Sequence, residues 1–252
     1  MTHNNNVIEV RALCKSYRSG GDSVPVLTGI DLEVRRGECL FLAGPSGSGK
    51  TTLLSILGCV LSADAGSVRI LGKEVTRFTP HEQAQFRREH LGFVFQRFHL
   101  FDALTAQENV AVPLRLLKWA SRPALDKALE LLDLVGLKDK AIRRTNQLSM
   151  GQRQRVALAR ALAGDPELIL ADEPTASLDA ESGLQAMQLL KGLCHSLGKT
   201  VVVVTHDSRI FSMADRILHL SRGQLTGETE RAAAEIGMHE SGRPRTMMVG
   251  MR

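Results

Sequence analysis

Hydrophobic and polar positions alternate over residues 6–13 (NVIEVRAL in its wider context) and again over 25–34 (PVLTGIDLEV), on either side of the turn-rich segment RSGGDS. A period of two is that of a strand with one buried face, so the pattern predicts an antiparallel N-terminal sheet. Residues 38–43 (ECLFLA) are a mostly apolar run ending at a glycine-rich loop, and TTLLSILGCVL beyond it has helical spacing. That order is strand, loop, helix. SVRILGKEV at 67–75 reads as a further sheet segment, and the stretch from about 97 to 165 reads mainly as helix. Within it Leu125, Ala128, Leu129, Leu132 and Val135 line one apolar face, and Arg153 to Ala163 forms another helix stopped by Gly164 and Pro166. Alternation then returns: strand 168–172, helix 181–197, strand 200–205, helix 208–214 and strand 216–220. Strands alternating with helices need right-handed crossovers, which predicts an α/β fold whose parallel sheet is covered on both faces. Residues 226–252 are polar, then rich in Gly, Arg and Met; they predict a weakly ordered tail with some helical potential at 228–237.

Composition narrows the class. Hydrophobic residues make up 43% of the 252 and charged residues 23%, enough for a real core, and with one Trp and one Tyr that core is mainly aliphatic. The net charge of +5 raises nucleic acid or anionic lipid as partners. The basic residues, however, are spread in short pairs such as Arg35-Arg36, Arg87-Arg88 and Arg143-Arg144, with no aromatic interleaving, and nucleic acid is not expected. Cys14, Cys39, Cys59 and Cys194 lie far apart without metal-site spacing, as reduced cytosolic thiols do. The N-terminus has no apolar signal segment, and no apolar run approaches the roughly 18 residues of a spanning helix. The expectation is a cytoplasmic protein that meets a membrane only through a partner.

Two segments carry chemistry. Gly44-Pro45-Ser46-Gly47-Ser48-Gly49-Lys50-Thr51 matches the phosphate-loop pattern in full, a match expected by chance in about 1% of chains of this length. It lies between a predicted strand and a predicted helix. The glycines let backbone N–H groups converge on phosphate oxygens, and the helix adds its positive N-terminal end. Lys50 can reach the β- and γ-phosphates, the Thr51 hydroxyl can ligate Mg²⁺, and Thr52 follows within the same turn. Leu168-Ile169-Leu170-Ala171-Asp172-Glu173 is an apolar strand delivering two carboxylates at its carboxyl end, where α/β sheets bind ligands. Asp172 would hold Mg²⁺, and Glu173 would act as general base on the attacking water.

Leu148-Ser149-Met150-Gly151-Gln152, followed by RQRVALARAL, resembles the signature of ABC ATPases. Gln96 after LGFVF resembles that family's Q-loop, Ala176-Ser177-Leu178-Asp179 its D-loop, and His206 after VVVVT its H-loop. Tyr17 stands where the family places an adenine-stacking aromatic, although a lone Tyr in a turn-rich region is also commonly packing. The resemblance covers residues 6 to 225. It implies a P-loop NTPase cassette at 1–225, with a RecA-like parallel core, an N-terminal antiparallel β subdomain and an α-helical subdomain at about 97–165, then a tail at 226–252. It also implies a homodimer that sandwiches two ATP head to tail. Ser149, Gly151 and Gln152 of one chain, with Asp179, would then meet the nucleotide on the other chain's phosphate loop. Gln96 and His206 would sense the γ-phosphate, Mg²⁺ and the attacking water. Met150 departs from the family's glycine, while Gly151 is kept.

Only about a hundred residues separate the phosphate loop from the signature, without sustained heptads, and there is one cassette. This speaks against the soluble ABC ATPases of DNA repair and translation. GPSGSGKTTLL, FVFQRFHL, LTAQENV and LADEPTASLD look like the LolD/MacB group. That resemblance implies a transmembrane permease as a separate chain, placing the ATPase peripherally on the inner (cytoplasmic) membrane. The cargo class would be lipoprotein, peptide or small compound. Phe98, Leu100, Phe101 and Leu104 are candidates for permease contact, with subdomain packing as the alternative. The related FtsE-like ATPases move no cargo and give the second reading, a signalling or mechanotransmission ATPase.

Overall fold

The computed structural model describes residues 5–20 and 22–230. Strands β1 (Asn6–Ser19) and β2 (Asp22–Arg35) pair antiparallel from Asn6↔Arg35 to Ser19↔Asp22. They extend well past the alternating segments, because a hairpin ladder needs only backbone groups and continues through polar residues once the apolar half has set the register. Next come β3 (Cys39–Ala43), α1 (Lys50–Leu57), β4 (Ala65–Ile70) and the two-residue β5 (Lys73–Glu74). The segment expected as one piece at 67–75 is therefore turned back on itself, at Leu71 and Gly72, both with positive φ. The first sheet has the order β2-β1-β4-β5 and is antiparallel throughout.

Helix α2 (Pro80–His90), which the apolar pattern did not announce, starts with a capping box between Thr79 and Glu82 and a proline in its first turn. It leads into β6 (Leu91–Val94). The region expected to be mainly helical divides into α3 (Ala106–Leu116), α4 (Ser121–Leu134) and α5 (Met150–Leu162). Residues 97–105 form an irregular loop, and 135–149 hold only two short 3₁₀ turns. The remaining elements are β7 (Leu168–Asp172), α6 (Ala180–Ser196), β8 (Thr200–Thr205), a 3₁₀ segment at Ser208–Met213, β9 (Arg216–Ser221) and β10 (Gln224–Glu230).

The second sheet has the order β10-β9-β3-β8-β7-β6, parallel except for the β10 edge. Its central strands are buried on both faces, as their unbroken apolar runs require. With the strand period of two, Phe41, Ala43, Ile169, Ala171, Val201 and Val203 point into one core, shared with α3 to α6. Leu40, Leu42, Leu168, Leu170, Val202 and Val204 point into the other, shared with α1 and the first sheet.

The expected boundary at 226 falls inside β10, whose Gly227 to Glu230 pair with His219 to Arg216. The strand is fixed by a charge clamp rather than by apolar periodicity. Arg216 donates to Glu38 Oε1 at 2.7 Å and to the Glu33 carbonyl at 3.2 Å, and also pairs with Glu228. The clamp joins the two sheets. The helical potential at 228–237 thus gives way to strand as far as Glu230, and the rest of that expectation lies outside the described residues.

Gly92 in β6 lies so close under α5 that an added Cβ would stand 2.3 Å from the Ala161 carbonyl oxygen. Backbone cannot yield there as a side chain would. Gly92→Ala should therefore destabilise the fold by about 1–3 kcal/mol, the usual cost of overpacking, read as a lower urea midpoint with unchanged slope.

Candidate active site

The loop from Gly44 to Gly49 leaves the carboxyl end of β3 and turns into α1 at Gly49. All three of its glycines are demanded by the chain's own geometry, Gly47 by a φ of 77°. Gly49, the residue before the first turn of α1, has φ 103°, which side chains rarely adopt. An added Cβ at Gly44 would lie 2.1 Å from the Leu220 carbonyl oxygen. The loop is also stitched to the β9–β10 turn, where Gly223 N–H donates to Ser48 O at 3.1 Å.

A cleft of about 690 Å³ opens over this loop. It is lined by Pro45 to Thr52, by Tyr17 and Val26 of the first sheet, and by Gln96, Glu173 and His206. Pieces far apart in sequence, all singled out by their motifs except Val26, thus share one space. Gly44 lies beneath the cleft, its carbonyl accepting from Lys50 Nζ at 2.8 Å while the Pro45 carbonyl accepts from the same ammonium at 2.9 Å. Lys50 is buried and, among the described residues, hydrogen-bonded to these neutral acceptors alone, with Asp172 near enough that burial's upward push on its carboxyl is opposed by the ammonium. Ser48 Oγ is buried with no partner among the described residues. A buried cation that makes no ion pair among the described residues, an orphan hydroxyl and a helix N-terminus together fit a polyanion.

Asp172 ends β7 next to this loop, and Thr51 Oγ1 donates to its Oδ1 at 3.2 Å. Burial raises the Asp172 carboxyl above the usual carboxylate range; the Thr51 hydrogen bond opposes that shift and the Glu173 charge adds to it. Such a carboxylate gains from an adjacent cation. Among the described residues no three His, Cys, Asp or Glu side chains cluster closely enough to hold an ion by themselves. A metal here would be shared between Thr51, Asp172 and phosphate oxygens, with Gln96 facing the same cleft, an arrangement that suits Mg²⁺.

Glu173 leaves the strand direction with φ 46°, a strained value for a side-chain-bearing residue, of order 1–3 kcal/mol. Its N–H reaches across to the Val204 carbonyl of β8 at 2.9 Å. The strain turns the carboxylate toward His206, whose Nδ1 lies 2.8 Å from Oε1. Val26 was missed by motif reasoning because an alternating β-strand gives an apolar position no sign that a ligand, rather than a core, covers it. Tyr17, 43% exposed, sets its ring on the cleft wall with Lys15 Nζ 5.8 Å from its centroid.

The signature residues stand elsewhere. Ser149, Gly151 and Gln152 line a separate polar hollow of about 300 Å³ with Gly136, Leu137, Arg155, Ser182 and Gln185. Ser149 caps α5, its hydroxyl oxygen accepting from Gln152 N–H at 3.2 Å, while Gln152 Oε1 accepts from Ser149 N–H at 3.0 Å. Asp179 caps α6 by accepting from Ser182 N–H at 2.9 Å and lines neither space. Met150 is exposed to solvent on the first turn of α5. Unlike Gly44, Gly151 is not required by its own chain: an added Cβ would meet Ser182 Oγ at an ordinary 3.5 Å. A third space, an apolar groove of about 490 Å³, runs between α2, β6, α3 and α5. Of the four residues expected at a permease contact, Phe101 lines it; Phe98 is buried, Leu100 packs on the core and Leu104 stands outside the groove.

The family follows from comparison with known proteins. Residues 27–176 match the family described as ABC transporter. The chain belongs to the ABC transporter family. It is 43% identical over 230 residues to the macrolide export ATP-binding/permease protein MacB of Vibrio parahaemolyticus, covering 91% of this chain and 35% of that protein. The MacB of Escherichia coli strain K12 is 42% identical over 219 residues, 87% of this chain and 34% of that one. The chain therefore spans about a third of the length of the curated relatives it matches. Among solved structures, a dimeric post-hydrolysis state of the ATP-binding cassette MJ0796, bound to ADP and phosphate, superposes with a TM-score of 0.81 at 41% identity. That match covers 88% of this chain and 98% of the other. The cassette is an α/β ABC ATPase of the LolD/MacB-like kind, and its fold class agrees with the sequence.

The raised Asp172 carboxyl has a consequence for stability. The folded cassette ionises Asp172 at higher pH than the unfolded chain does, so ionisation costs stability as pH rises through that window, and the cost is complete above it. Asp172→Asn keeps an acceptor for Thr51 and removes the charge. The free variant should unfold at a higher urea concentration than the parent at pH 7, with the gain shrinking as pH falls through the carboxylate range.

Proposed function

We propose that the cassette binds ATP with Mg²⁺ in the Tyr17–Lys50 cleft, dimerises around two nucleotides, and hydrolyses them to drive a membrane permease of the MacB type. The observation that carries this is the separation of the signature hollow from the phosphate-loop cleft. Ser149 and Gly151 cannot serve their own chain's phosphate loop, since they line another space. Nothing among the described residues requires glycine at 151, and in this reading its bare backbone is left open to a phosphate on a second copy. The cassette MJ0796, to which the chain is similar, is dimeric and bound to ADP and phosphate, which supports a nucleotide-bound dimer.

In this reading the adenine stacks on Tyr17 beside Val26, and the phosphates displace Gly44 O and Pro45 O as partners of Lys50. Thr51 and Asp172, with Gln96, would hold Mg²⁺, which when bound neutralises charge on the β- and γ-phosphate oxygens. Glu173 takes a proton from water as its oxygen bonds to the γ-phosphorus; the bond from that phosphorus to the bridging oxygen breaks, leaving ADP and phosphate. In the free chain Glu173 is engaged by His206, and exchange of His206 onto the γ-phosphate would free it as base. Ser149 keeps its hydroxyl hydrogen to donate across the dimer, while its oxygen caps α5.

Among the described residues no helix is long and apolar enough to cross a membrane; in this reading membrane contact belongs to the permease. The groove bearing Phe101, with Val60 and Leu116 exposed on its walls, is the apolar surface offered to it. The MacB relatives are named as joint ATP-binding/permease proteins, which favours work on cargo over cargo-free signalling.

Glu173→Gln should lower turnover about 10²- to 10⁴-fold, leave ATP affinity intact, and give a dimer in MgATP by sedimentation. Turnover at the parent rate would remove Glu173 as base. Gly151→Asp, added to that variant, should abolish the dimer by setting a carboxylate against the partner's γ-phosphate; sedimentation as a dimer would take the signature away from the interface. Pull-down of tagged Glu173→Gln chain with ATP from solubilised membranes should recover a permease. Recovery of soluble partners alone would leave the ATPase reading standing and overturn the transport reading.

A further inference from the structure

Arg160 lies near the C-terminal end of α5, the helix that begins at the signature. No carboxylate pairs with it among the described residues, and burial lowers its pKa to about 10. Its fork instead takes two backbone carbonyls: Nη2 donates to Phe98 O at 2.7 Å, and Nη1 donates to His99 O. Phe98 and His99 are consecutive side-chain-bearing residues with φ 59° and 46°. Bulky residues do not choose the left-handed region unaided, so this pair persists because its surroundings hold it. A planar guanidinium, with five donors in fixed directions, can satisfy two converging carbonyls where an ammonium would hold them less rigidly.

The same loop is tied at further points. The Gln96 carbonyl accepts from Ser177 Oγ at 2.8 Å. Fully buried Asn109 brackets Phe101, accepting from its N–H at 2.8 Å and donating to its carbonyl at 3.0 Å. Asp102 accepts from Thr145 Oγ1 at 3.0 Å, and the Thr145 carbonyl accepts from Arg153 Nε at 2.8 Å. Arg153 and Arg160 are about two helical turns apart on α5. The loop that starts at Gln96 is thus bound to the signature helix at both ends, once through Thr145 and once directly.

We propose that Arg160 is a positioning residue that locks the left-handed Phe98–His99 pair to α5. The loop carrying Gln96 and the helix presenting Ser149 and Gly151 then shift as one body. This rests on the ATP-sandwich reading above. It gives that reading a route from the Phe101 groove to the nucleotide on the second copy: pressure on the loop moves the signature, with the strained pair unable to absorb it.

The test uses the full chain carrying Glu173→Gln, with Arg160→Met and, separately, Arg160→Lys added. Three quantities are read: ATP affinity of the dilute monomer by calorimetry, the dissociation constant of the MgATP dimer by sedimentation, and hydrogen exchange of amides 97–102. Arg160→Met should leave monomer affinity within about twofold, since its own phosphate loop makes that site. It should weaken the dimer about tenfold, within the usual range of coupling between sites, and speed exchange at 97–102. Arg160→Lys should fall between the two. A residue that only stabilised the fold would lower the melting temperature and leave the dimer constant of the folded fraction unchanged. Parent-like dimerisation with parent-like exchange at 97–102 would overturn the proposal. If Arg160→Met does not fold, Arg160→Lys decides: an unchanged dimer constant overturns it, and a weaker dimer with intact monomer affinity supports it. A parent Glu173→Gln chain that never dimerises in MgATP would sink the sandwich reading itself, and this inference with it.

Discussion

The parallel register of three buried strands, β3, β8 and β7, underlies everything at the site. Ala43 pairs with Thr205, and Asp172 with Val204, so the carboxyl ends of all three strands finish at one edge of the sheet. The phosphate loop, the Asp172-Glu173 pair and His206 leave from those ends and have nowhere else to go. The register is held by burial on both faces: a one-residue slip of β8 would send Val201 and Val203 into the wrong core and their neighbours into the other. Catalytic geometry is therefore supported by aliphatic packing well away from it.

Several of the charged or polar groups expected to meet ATP are meanwhile occupied within the chain. Lys50 is held by Gly44 and Pro45, Glu173 by His206, Thr51 by Asp172, and Ser149 and Gln152 by each other. Lys50, the buried one among them, would carry a large desolvation cost if left alone, so the chain supplies it with neutral internal substitutes. A phosphate and its cation offer stronger, charge-assisted partners, and binding becomes an exchange of neutral for ionic contacts. Asp172, raised by burial, is the clearest case of a local cost that a bound cation would relieve.

The first sheet and helices α3 to α5 play different parts around this centre. The sheet brings Tyr17 and Val26 to the phosphate-loop cleft and is fastened to the parallel core by the Arg216 clamp. The helices carry the signature away from that cleft, to a surface of its own. Between them the loop after Gln96 touches Ser177, Asn109, Thr145 and Arg160, four segments that no local pattern connects.

Much of this was legible in the sequence. Strands β3, β7 and β8 were fixed by unbroken apolar runs, because burial on both faces leaves no room for polar positions. The phosphate loop and the carboxylate pair were fixed by chemistry that few residue types can perform. Less legible were elements held by polar contacts: α2, capped by Thr79 and Glu82, and β10, held by ladder bonds and by Glu228 on Arg216, where polar residues masked a strand as tail. Motifs also named the residues of the site without saying which of them meet. That was decided by tertiary structure, which gathered Tyr17, Val26, Lys50, Gln96, Glu173 and His206 into one cleft and left Ser149 and Gly151 in another. Local pattern reports what each segment buries, over a few residues; which segments become neighbours depends on how whole layers pack, and that information is spread over the entire chain.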